Sequence, residues 1–538
     1  MRASVAGRTL DLSKADGPLT RRAEFCVVGA GVAGQTLARR LAEHGRTVLL
    51  VESGGREVEA AQQDLAAGEV AGFPYYPLED SRLRLFGGTT AIWGGRCAAL
   101  DPIDFERRAW VPHSGWPIGH ADLDPYVDAA FAALGVERRR DWSGLQAPRP
   151  PFDPELIDVP LWSFDDRDER FTDPRRLDLP GVEIALNATL TAIETGESGA
   201  VTSLGFRSLS GRSLTVTAER YVLAAGGIET VRLLLACAPR RPDGLGNARD
   251  LLGRFFMEHP HARGGRILPS APGTEGHLAV LRIASAKIRH GSQRLAAAFR
   301  PAEAAQRRLG LLNTAVSLAV RRHEGAAQAP LQRMIGGLKH ELPALRALRA
   351  SYRIGKRVAW RLKQSGDARR AASRAARREA VEGHYAVVRA EQAPNPDSRV
   401  RLVAARDALG VRRVALDWRF SPLDRASVAG LMALLDGELR RLGVACVSRA
   451  DWLREDGPEW KIDPLISSHA IGGYHHMGGA RMAAGPSEGV VDADCRLFEC
   501  PNLHLAGSAV FPTCGWANPT ITIMALALRL GDRLGART

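Results

Sequence analysis

The chain has 538 residues, of which 45% are hydrophobic and 25% charged, and these are the proportions of a globular protein rather than a disordered one. A single hydrophobic core rarely serves so long a chain, so we expect two domains. The net charge is +13, and residues 321 to 378 alone hold sixteen Lys or Arg against three acids. The basicity therefore belongs to one segment and not to the whole surface.

The basic segment, residues 321 to 378, admits two interpretations. It is either a solvated helical face of a larger domain or a surface that docks a protein partner or the periphery of a membrane. Nucleic-acid binding is disfavoured, because Tyr352 and Trp360 are the only tyrosine or tryptophan residues there that could stack on bases.

Seven cysteines are spread along the chain without a C-x-x-C pair. This spacing predicts neither a disulfide framework nor a zinc or haem site, so we expect no metal. Free cysteines suit a reducing compartment, and we expect the protein to be cytoplasmic.

The first clear motif is a strand, helix and strand near the N-terminus. Residues 25–28 read as a short buried strand, 29–34 have the sequence Gly-Ala-Gly-Val-Ala-Gly, and 35–44 read as a helix. A second strand at 47–51 ends on Glu52. This order predicts a βαβ unit that binds a dinucleotide.

Each glycine of this motif has a separate reason to be there. Gly29 permits the tight turn, Gly31 lets a pyrophosphate approach the helix N-terminus, and Gly34 lets the helix pack against the strand. Glu52, 23 positions after Gly29, is placed to accept hydrogen bonds from a ribose hydroxyl. The unit by itself does not distinguish NAD from FAD.

A second glycine-rich loop follows at residues 82–97. Its paired glycines, Gly87 and Gly88, lie next to Thr89 and Thr90, and Trp93 comes three positions later. Small residues let the backbone pass close to a flat ligand, and the two hydroxyls can hydrogen-bond to it.

With the βαβ unit before it, this loop resembles the second glycine motif of the glucose-methanol-choline (GMC) family of flavoenzymes. Its form looks more like that of pyranose oxidases and related sugar or aminoglycoside oxidoreductases than like the glucose oxidase branch. The resemblance covers nearly the whole chain and implies FAD as the cofactor. In pyranose oxidase the position that matches Ile92 is a histidine bonded covalently to the flavin; isoleucine cannot form that bond, so we expect non-covalent FAD.

The resemblance also implies the fold class, an α/β protein with a Rossmann-like FAD-binding domain and an interleaved substrate domain built on an antiparallel sheet flanked by helices. Residues 20–100, 181–260 and 461–538 are expected to form the FAD-binding domain. Residues 101–180 are expected to be a connection or lid, and residues 261–460 the substrate domain. Within the last range, strand patterns occur at 278–283, 294–299, 310–320, 385–390, 399–403 and 414–418.

Further cofactor contacts are implied along the chain. Leu190, in a strand pattern at 182–193, is expected to contact the cofactor. The buried strand at 221–228, with Ala225 and Gly226, resembles the family's return to the FAD domain. Simple packing of helix on strand explains Ala225 and Gly226 nearly as well. Gly507 and Ser508 resemble its final FAD contact, although Gly507 stands where glucose oxidase relatives carry an Asp.

The acid-base candidates lie near the C-terminus. His475 and His476 are adjacent, and Asn518-Pro519-Thr520 opens an apolar helix. If the backbone is extended here, only one of the two histidines can face the flavin, and the resemblance selects His475. Asn518 is expected either to hold the substrate oxygen or to cap the helix.

Pro519 and Thr520 would then bring the positive end of that helix to the flavin. His259, before a proline, is given a structural or cofactor-side role.

The resulting prediction is an FAD-dependent enzyme that oxidises an alcohol group on a sugar, glycoside or aminocyclitol. The resemblance implies hydride transfer to flavin N5 with His475 as the base. The electron acceptor is left open between O₂ and another acceptor. The alternative is a flavoprotein dehydrogenase whose basic segment docks an electron-accepting partner or a membrane surface.

Overall fold

The computed structural model describes residues 9–145, 148–167, 171–270, 288–322, 381–454, 459–462 and 471–536. Apart from its first two residues, the basic segment lies outside these ranges, and so does the strand predicted at 278–283. Its proposed docking role therefore stays a prediction. Within the described ranges, no helix is both long and apolar enough to cross a bilayer.

The described chain contains both strands and helices. The strands are β1 (Thr9–Asp11), β2 (Leu19–Val28), β3 (Val48–Val51), β4 (Gly68–Val70), β5 (Arg96–Cys97), β6 (Ile157–Asp158), β7 (Leu161–Phe164), β8 (Val182–Leu186), β9 (Thr189–Thr195), β10 (Val201–Arg207), β11 (Ser213–Leu223), β12 (His261–Pro269), β13 (Ile288–His290), β14 (Gln293–Ala297), β15 (Arg300–Pro301), β16 (Ala315–Arg322), β17 (Val381–Arg389), β18 (Arg399–Arg406), β19 (Arg412–Asp417), β20 (Ala445–Arg449) and β21 (Leu503–Leu505). The helices are α1 (Val32–Glu43), α2 (Ala60–Asp64), α3 (Pro102–Phe105), α4 (His120–Ala133), α5 (Gly227–Ala236), α6 (Glu303–Leu309), α7 (Pro422–Arg441) and α8 (Thr520–Gly535).

The largest sheet has the order β1-β8-β3-β2-β11-β10-β9, and β21 also pairs with β11. Its pairings from β1 to β11 and from β11 to β21 are parallel, and the β11-β10-β9 edge is antiparallel. All four residues of β3 are buried, as expected for a parallel strand covered on both faces. This sheet confirms the predicted α/β fold with a Rossmann-like domain.

A second sheet is antiparallel, with the order β16-β17-β12-β20. Helix α7 packs on β12 and β20 and buries Val428, Leu431 and Leu435 completely. The sequence reading missed this helix, although Pro422 at its start and Asp424, which accepts from the Ser421 N–H at 2.7 Å, are ordinary start signals.

The stretch expected to be a connection, residues 101–180, also contributes sheet structure. Its strand β7 lies between β5 and β14 in an antiparallel sheet. A strand from the connection thus joins a glycine-loop strand to a strand of the predicted substrate domain.

Candidate active site

One cavity of about 360 Å³ lies between the glycine turn after β2 and the histidine pair. Such a volume lies within the range of small-molecule sites. Sixteen of the predicted site residues line this cavity: Gly29, Gly31, Glu52, Gly88, Thr89, Thr90, Trp93, Leu190, Ala225, Gly226, His475, Gly507, Ser508, Asn518, Pro519 and Thr520. Residues from eight separate stretches of sequence are therefore brought to one site.

Two predicted contact residues, Gly34 and Gly87, do not line the cavity. A Cβ at Gly34 would lie 1.9 Å from the Gly29 carbonyl oxygen, so Gly34 is required by the packing of α1 on the turn. Gly87 has φ = 101° and lies next to Phe171, whose carbonyl oxygen would be 2.9 Å from an added Cβ. Both glycines therefore shape the site through the backbone, and neither lines the cavity.

Three other glycines face open space instead of neighbouring backbone: Gly31, Gly226 and Gly507. Each lines the cavity, and a Cβ added at any of them would meet no protein atom within 4 Å. Side chains at these positions would therefore occupy cavity space and not clash with the fold. The absence of side chains here fits a large ligand that runs close to the backbone.

Three helix N-termini open onto the same cavity, those of α1, α5 and α8. Residues at the start of each line it, and none of the three has a side-chain capping hydrogen bond. An uncapped N-terminus offers free N–H groups and about half a positive charge. The site therefore fits a diphosphate-containing dinucleotide such as FAD.

Glu52 lies at the end of β3, as predicted. One carboxylate oxygen accepts from the Ala30 N–H at 2.8 Å and the other from the Gly54 N–H at 2.9 Å. Burial raises the pKa of Glu52 and outweighs these hydrogen bonds, which lower it. A carboxylate has about four acceptor sites, so it retains capacity for a ribose hydroxyl.

The two threonines of the glycine loop bond within the loop itself. The Thr89 hydroxyl accepts from the Leu83 N–H at 3.1 Å, and the Thr90 hydroxyl donates to the Gly87 carbonyl. Their hydroxyls therefore help to hold the loop in shape while they line the cavity.

Both His475 and His476 line the cavity. Tyr474 has φ = 61°, so the backbone before them is not a regular extended strand, which was the condition under which only one of the two was expected to face the flavin. The two rings differ in their partners. His476 Nε2 lies 3.0 Å from the Tyr75 hydroxyl, whereas His475 Nε2 lies 3.1 Å from the Asn518 side-chain amide.

The protonation of His475 follows from its neighbour His259. His259 Nε2 lies 2.8 Å from the Gly515 carbonyl oxygen, which can only accept, so this nitrogen carries the proton. Burial lowers the pKa of His259 to about 4, so the ring is neutral and its Nδ1 is an acceptor. His475 Nδ1 lies 2.8 Å from that Nδ1 and must therefore be the donor.

His475 is consequently a neutral imidazole with its proton on Nδ1. Burial, with smaller electrostatic contributions from the neighbouring His259 and His261, lowers the pKa of His475 well below its ordinary value. Its Nε2 is left with a lone pair on the cavity wall, where the Asn518 amide donates to it. A hydroxyl group brought to this point would find a proton acceptor and an N–H donor side by side.

Asn518 does not cap the helix that follows it. Helix α8 begins at Thr520, Pro519 occupies the N-cap position, and no side chain makes a capping hydrogen bond. The Asn518 amide is directed to His475. Of its two predicted duties, the capping one is wrong.

Glu258 is a central residue that the sequence reading missed. It is fully buried and accepts from the backbone N–H groups of His259 and His475 at 2.7 and 2.8 Å and from the Tyr75 hydroxyl at 2.5 Å. Burial raises its pKa to about 7 against the effect of these hydrogen bonds. Only the adjacent His259-Pro260 pair marked this segment, and nothing in the sequence pointed to Tyr75.

Across the described ranges, no group of three or more His, Cys, Asp or Glu residues could hold a metal ion. The chemistry of the site is that of a dinucleotide cavity with an imidazole and an amide at one end. The fold and site together define a dinucleotide-dependent oxidoreductase.

Comparison with known proteins identifies the family to which this oxidoreductase is similar. Residues 24–242 match the model of the FAD dependent oxidoreductases, and residues 394–527 match that of the GMC oxidoreductases. The chain is 24% identical to the fructose dehydrogenase large subunit of Gluconobacter japonicus, over 96% of this chain and 98% of that one. It is also 24% identical to paromamine 6'-oxidase of Streptomyces fradiae, over 94% and 90%.

A solved structure, that of formate oxidase, has the same fold. It superposes with a TM-score of 0.51 over 97% of this chain and 98% of that one, at 16% identity. The protein is a member of the GMC oxidoreductases, an FAD-dependent enzyme that acts on CH–OH groups. The predicted family, fold class and enzyme class are confirmed.

Proposed function

We propose that the protein oxidises an alcohol group on a sugar, glycoside or aminocyclitol-type substrate, with His475 as the base and Asn518 as the second contact of the reacting oxygen. Bound FAD supplies the hydride acceptor, which no amino-acid side chain provides. The single observation that carries the proposal is the proton-free Nε2 of His475, held 3.1 Å from the Asn518 amide on the cavity wall.

The hydrogen-bond network supports each step assigned to the protein. His475 Nε2 takes the hydroxyl proton, and the Asn518 N–H group holds the oxygen as negative charge develops on it. The resulting imidazolium keeps its Nδ1–H directed at His259, which therefore positions the ring without touching the substrate. Glu258 accepts from the backbone N–H groups of His259 and His475 and so holds both residues in place.

The substrate class is suggested by the relatives. One relative is named for fructose and two for aminoglycoside compounds, paromamine and 6'''-hydroxyparomomycin C. These molecules share alcohol groups on a sugar or aminocyclitol ring. The same relatives include a dehydrogenase and two oxidases, so O₂ and another electron acceptor both stay open.

The test is anaerobic mixing of the purified yellow protein with a panel of sugars, glycosides and aminoglycosides. Loss of the flavin absorbance would identify a substrate, and return of the colour in air would identify an oxidase. Failure of every alcohol in the panel to reduce the flavin would count against the proposal.

Asn518 provides a first prediction. Replacing it by serine or alanine should lower the rate of flavin reduction by about 10²- to 10³-fold, because an N–H donor to the developing oxyanion is lost. Since Asn518 does not cap α8, the two variants should have equal stability. If the cap mattered, alanine would be less stable than serine by about 1 kcal/mol. Stopped-flow reduction and thermal melts measure the two effects separately, and unchanged reduction would remove Asn518 from the proposed site.

The mode of FAD attachment gives a second prediction. Ile92 lines the cavity, and its side chain has no atom that forms a bond to flavin, which supports non-covalent binding. Acid precipitation should leave a white pellet and a yellow supernatant. A yellow pellet would show a covalent link through another residue.

A further inference from the structure

Two arginines, Arg96 and Arg389, line the cavity on the side of His475. Arg389 donates from Nη1 to His261 Nε2 at 3.0 Å, and Arg96 lies over the rings of Trp162 and Phe164 at 5.3 and 5.7 Å. The Nε atoms of both arginines are buried without a hydrogen-bond partner among the described residues. Neither guanidinium forms an ion pair with a carboxylate in the described part of the chain.

The other arginines along the cavity are different in this respect. Arg82 and Arg84 lie 3.4 and 2.6 Å from the Glu229 carboxylate. Three neighbouring arginines, Arg84, Arg232 and Arg82, hold the pKa of Glu229 at about 2 although burial alone would raise it. Arg82 and Arg84 therefore share a carboxylate, whereas Arg96 and Arg389 have none within ion-pair distance among the described residues.

The two unpaired charges are close to each other and to the proposed base. Burial and then the charge of Arg96 lower the pKa of Arg389 to about 9, so the group is still charged at neutral pH. Arg389 is directly opposite His261 across the β12–β17 pair, and the His261 N–H donates to the Ile471 carbonyl at 2.9 Å, four residues before His475. The charge of Arg389 also contributes to the lowered pKa of His475.

A buried cation without a counter-ion is costly for a protein to keep. It becomes favourable when a ligand supplies the opposite charge, and guanidinium groups bind carboxylates and phosphates through paired, charge-assisted hydrogen bonds. A polycation such as an aminoglycoside would instead meet like charges here. The positive charge of Arg96 and Arg389 on this wall of the cavity therefore favours an anionic substrate over a cationic one.

We propose that the substrate of this enzyme carries an anionic group, a carboxylate or phosphate ester, which Arg389 and Arg96 bind while its alcohol group lies against His475 and Asn518. This inference rests on the proposed function and narrows it to acidic sugars or comparable hydroxy acids. His261 fixes the orientation of Arg389 by accepting its hydrogen bond.

The first test is a binding measurement on the oxidised holoenzyme. Acetate and inorganic phosphate are titrated separately while the visible spectrum of the flavin is followed. We expect saturable binding of at least one anion, weakened tenfold or more in Arg389→Gln and in Arg96→Gln. Arg266→Gln is the matched control, because it removes an exposed arginine of β12, the strand paired with the β17 strand of Arg389, that does not line the cavity, and it should bind as the wild type does.

The outcomes of the titration are distinct. No saturable binding of either anion by the wild type would overturn the proposal. Loss of yellow colour from Arg389→Gln or Arg96→Gln would overturn it too, since the arginines would then hold the cofactor. A preference for acetate assigns a carboxylate substrate, and a preference for phosphate assigns a phosphate ester.

The second test compares methyl glucoside, methyl glucuronoside and methyl 6-amino-6-deoxyglucoside as reductants under anaerobic conditions. We expect the acid to reduce the flavin with at least tenfold higher efficiency than the neutral glycoside, and the amine to be poorest. A preference for the neutral or amino compound would overturn the inference but leave the proposed function standing. If none of the three reduces the flavin, the anion titration alone tests whether the site binds an anionic group. If no alcohol in the wider panel does so, the proposed function fails independently.

Discussion

His475→Ala should retain FAD and fold normally, yet reduce its flavin about 10²- to 10⁴-fold more slowly than the wild type, the usual contribution of a general base. The expectation rests on the position of His475 Nε2, which has no proton of its own and lies beside the Asn518 amide. Single-turnover mixing under anaerobic conditions measures the effect without interference from the electron acceptor.

Added imidazole provides a control for this variant. The alanine substitution leaves a space the size of the lost ring, and the free base should restore part of the rate if proton transfer is the missing step. Loss of flavin absorbance from the purified variant would instead indicate damage to the fold. A rate within about threefold of the wild type, far short of the loss expected for a missing general base, would mean that His475 is not the base.

Substitution of Gly31 and of Gly34 by valine should separate the two functions of the glycine motif. A Cβ at Gly31 projects into the cavity without a neighbour within 4 Å, and one at Gly34 lies 1.9 Å from the Gly29 carbonyl oxygen. Gly31→Val should therefore fold but remain colourless, because its side chain occupies cofactor space. Gly34→Val should lose stability by about 1–3 kcal/mol or more from overpacking.

The comparison requires the cofactor-free wild type as the reference for thermal melts. Gly31 has φ = −75° and is the N-cap residue of α1, so valine there costs at most about 1 kcal/mol as a poor cap. The ratio of flavin to protein absorbance reports cofactor content. A yellow Gly31→Val protein would show that the cofactor does not approach this turn.

Local sequence patterns were sufficient to predict the start of the dinucleotide-binding domain. The βαβ unit was predicted because its signals, a buried apolar strand, three spaced glycines and a terminal acid, are all close together in sequence. Helix α7 was missed although its apolar positions and its Pro422 start were visible. From residue 385 onward, the sequence patterns predict only strands in the substrate domain, where α7 lies.

The charged and hydrogen-bonded partners in the site could not be predicted in the same way. His259 meets His475 across 216 residues, and Tyr75 meets Glu258 across 183. Such pairs depend on strand register and loop paths that no local pattern encodes. The β12–β17 pairing places Arg389 opposite His261. Its proximity to His475 therefore cannot be predicted from the sequence alone.

The loop from Cys514 to Asn518 closes a ring of hydrogen bonds. Gly515 accepts from His259, His259 accepts from His475, and Asn518 donates to His475. Because the ring begins at a main-chain carbonyl, which has no alternative protonation state, the placement of every proton around it is dictated by the backbone. The path of this five-residue loop therefore determines which nitrogen of His475 is free to accept a proton. An insertion in the loop would alter the protonation of His475 even if the rest of the fold were unchanged.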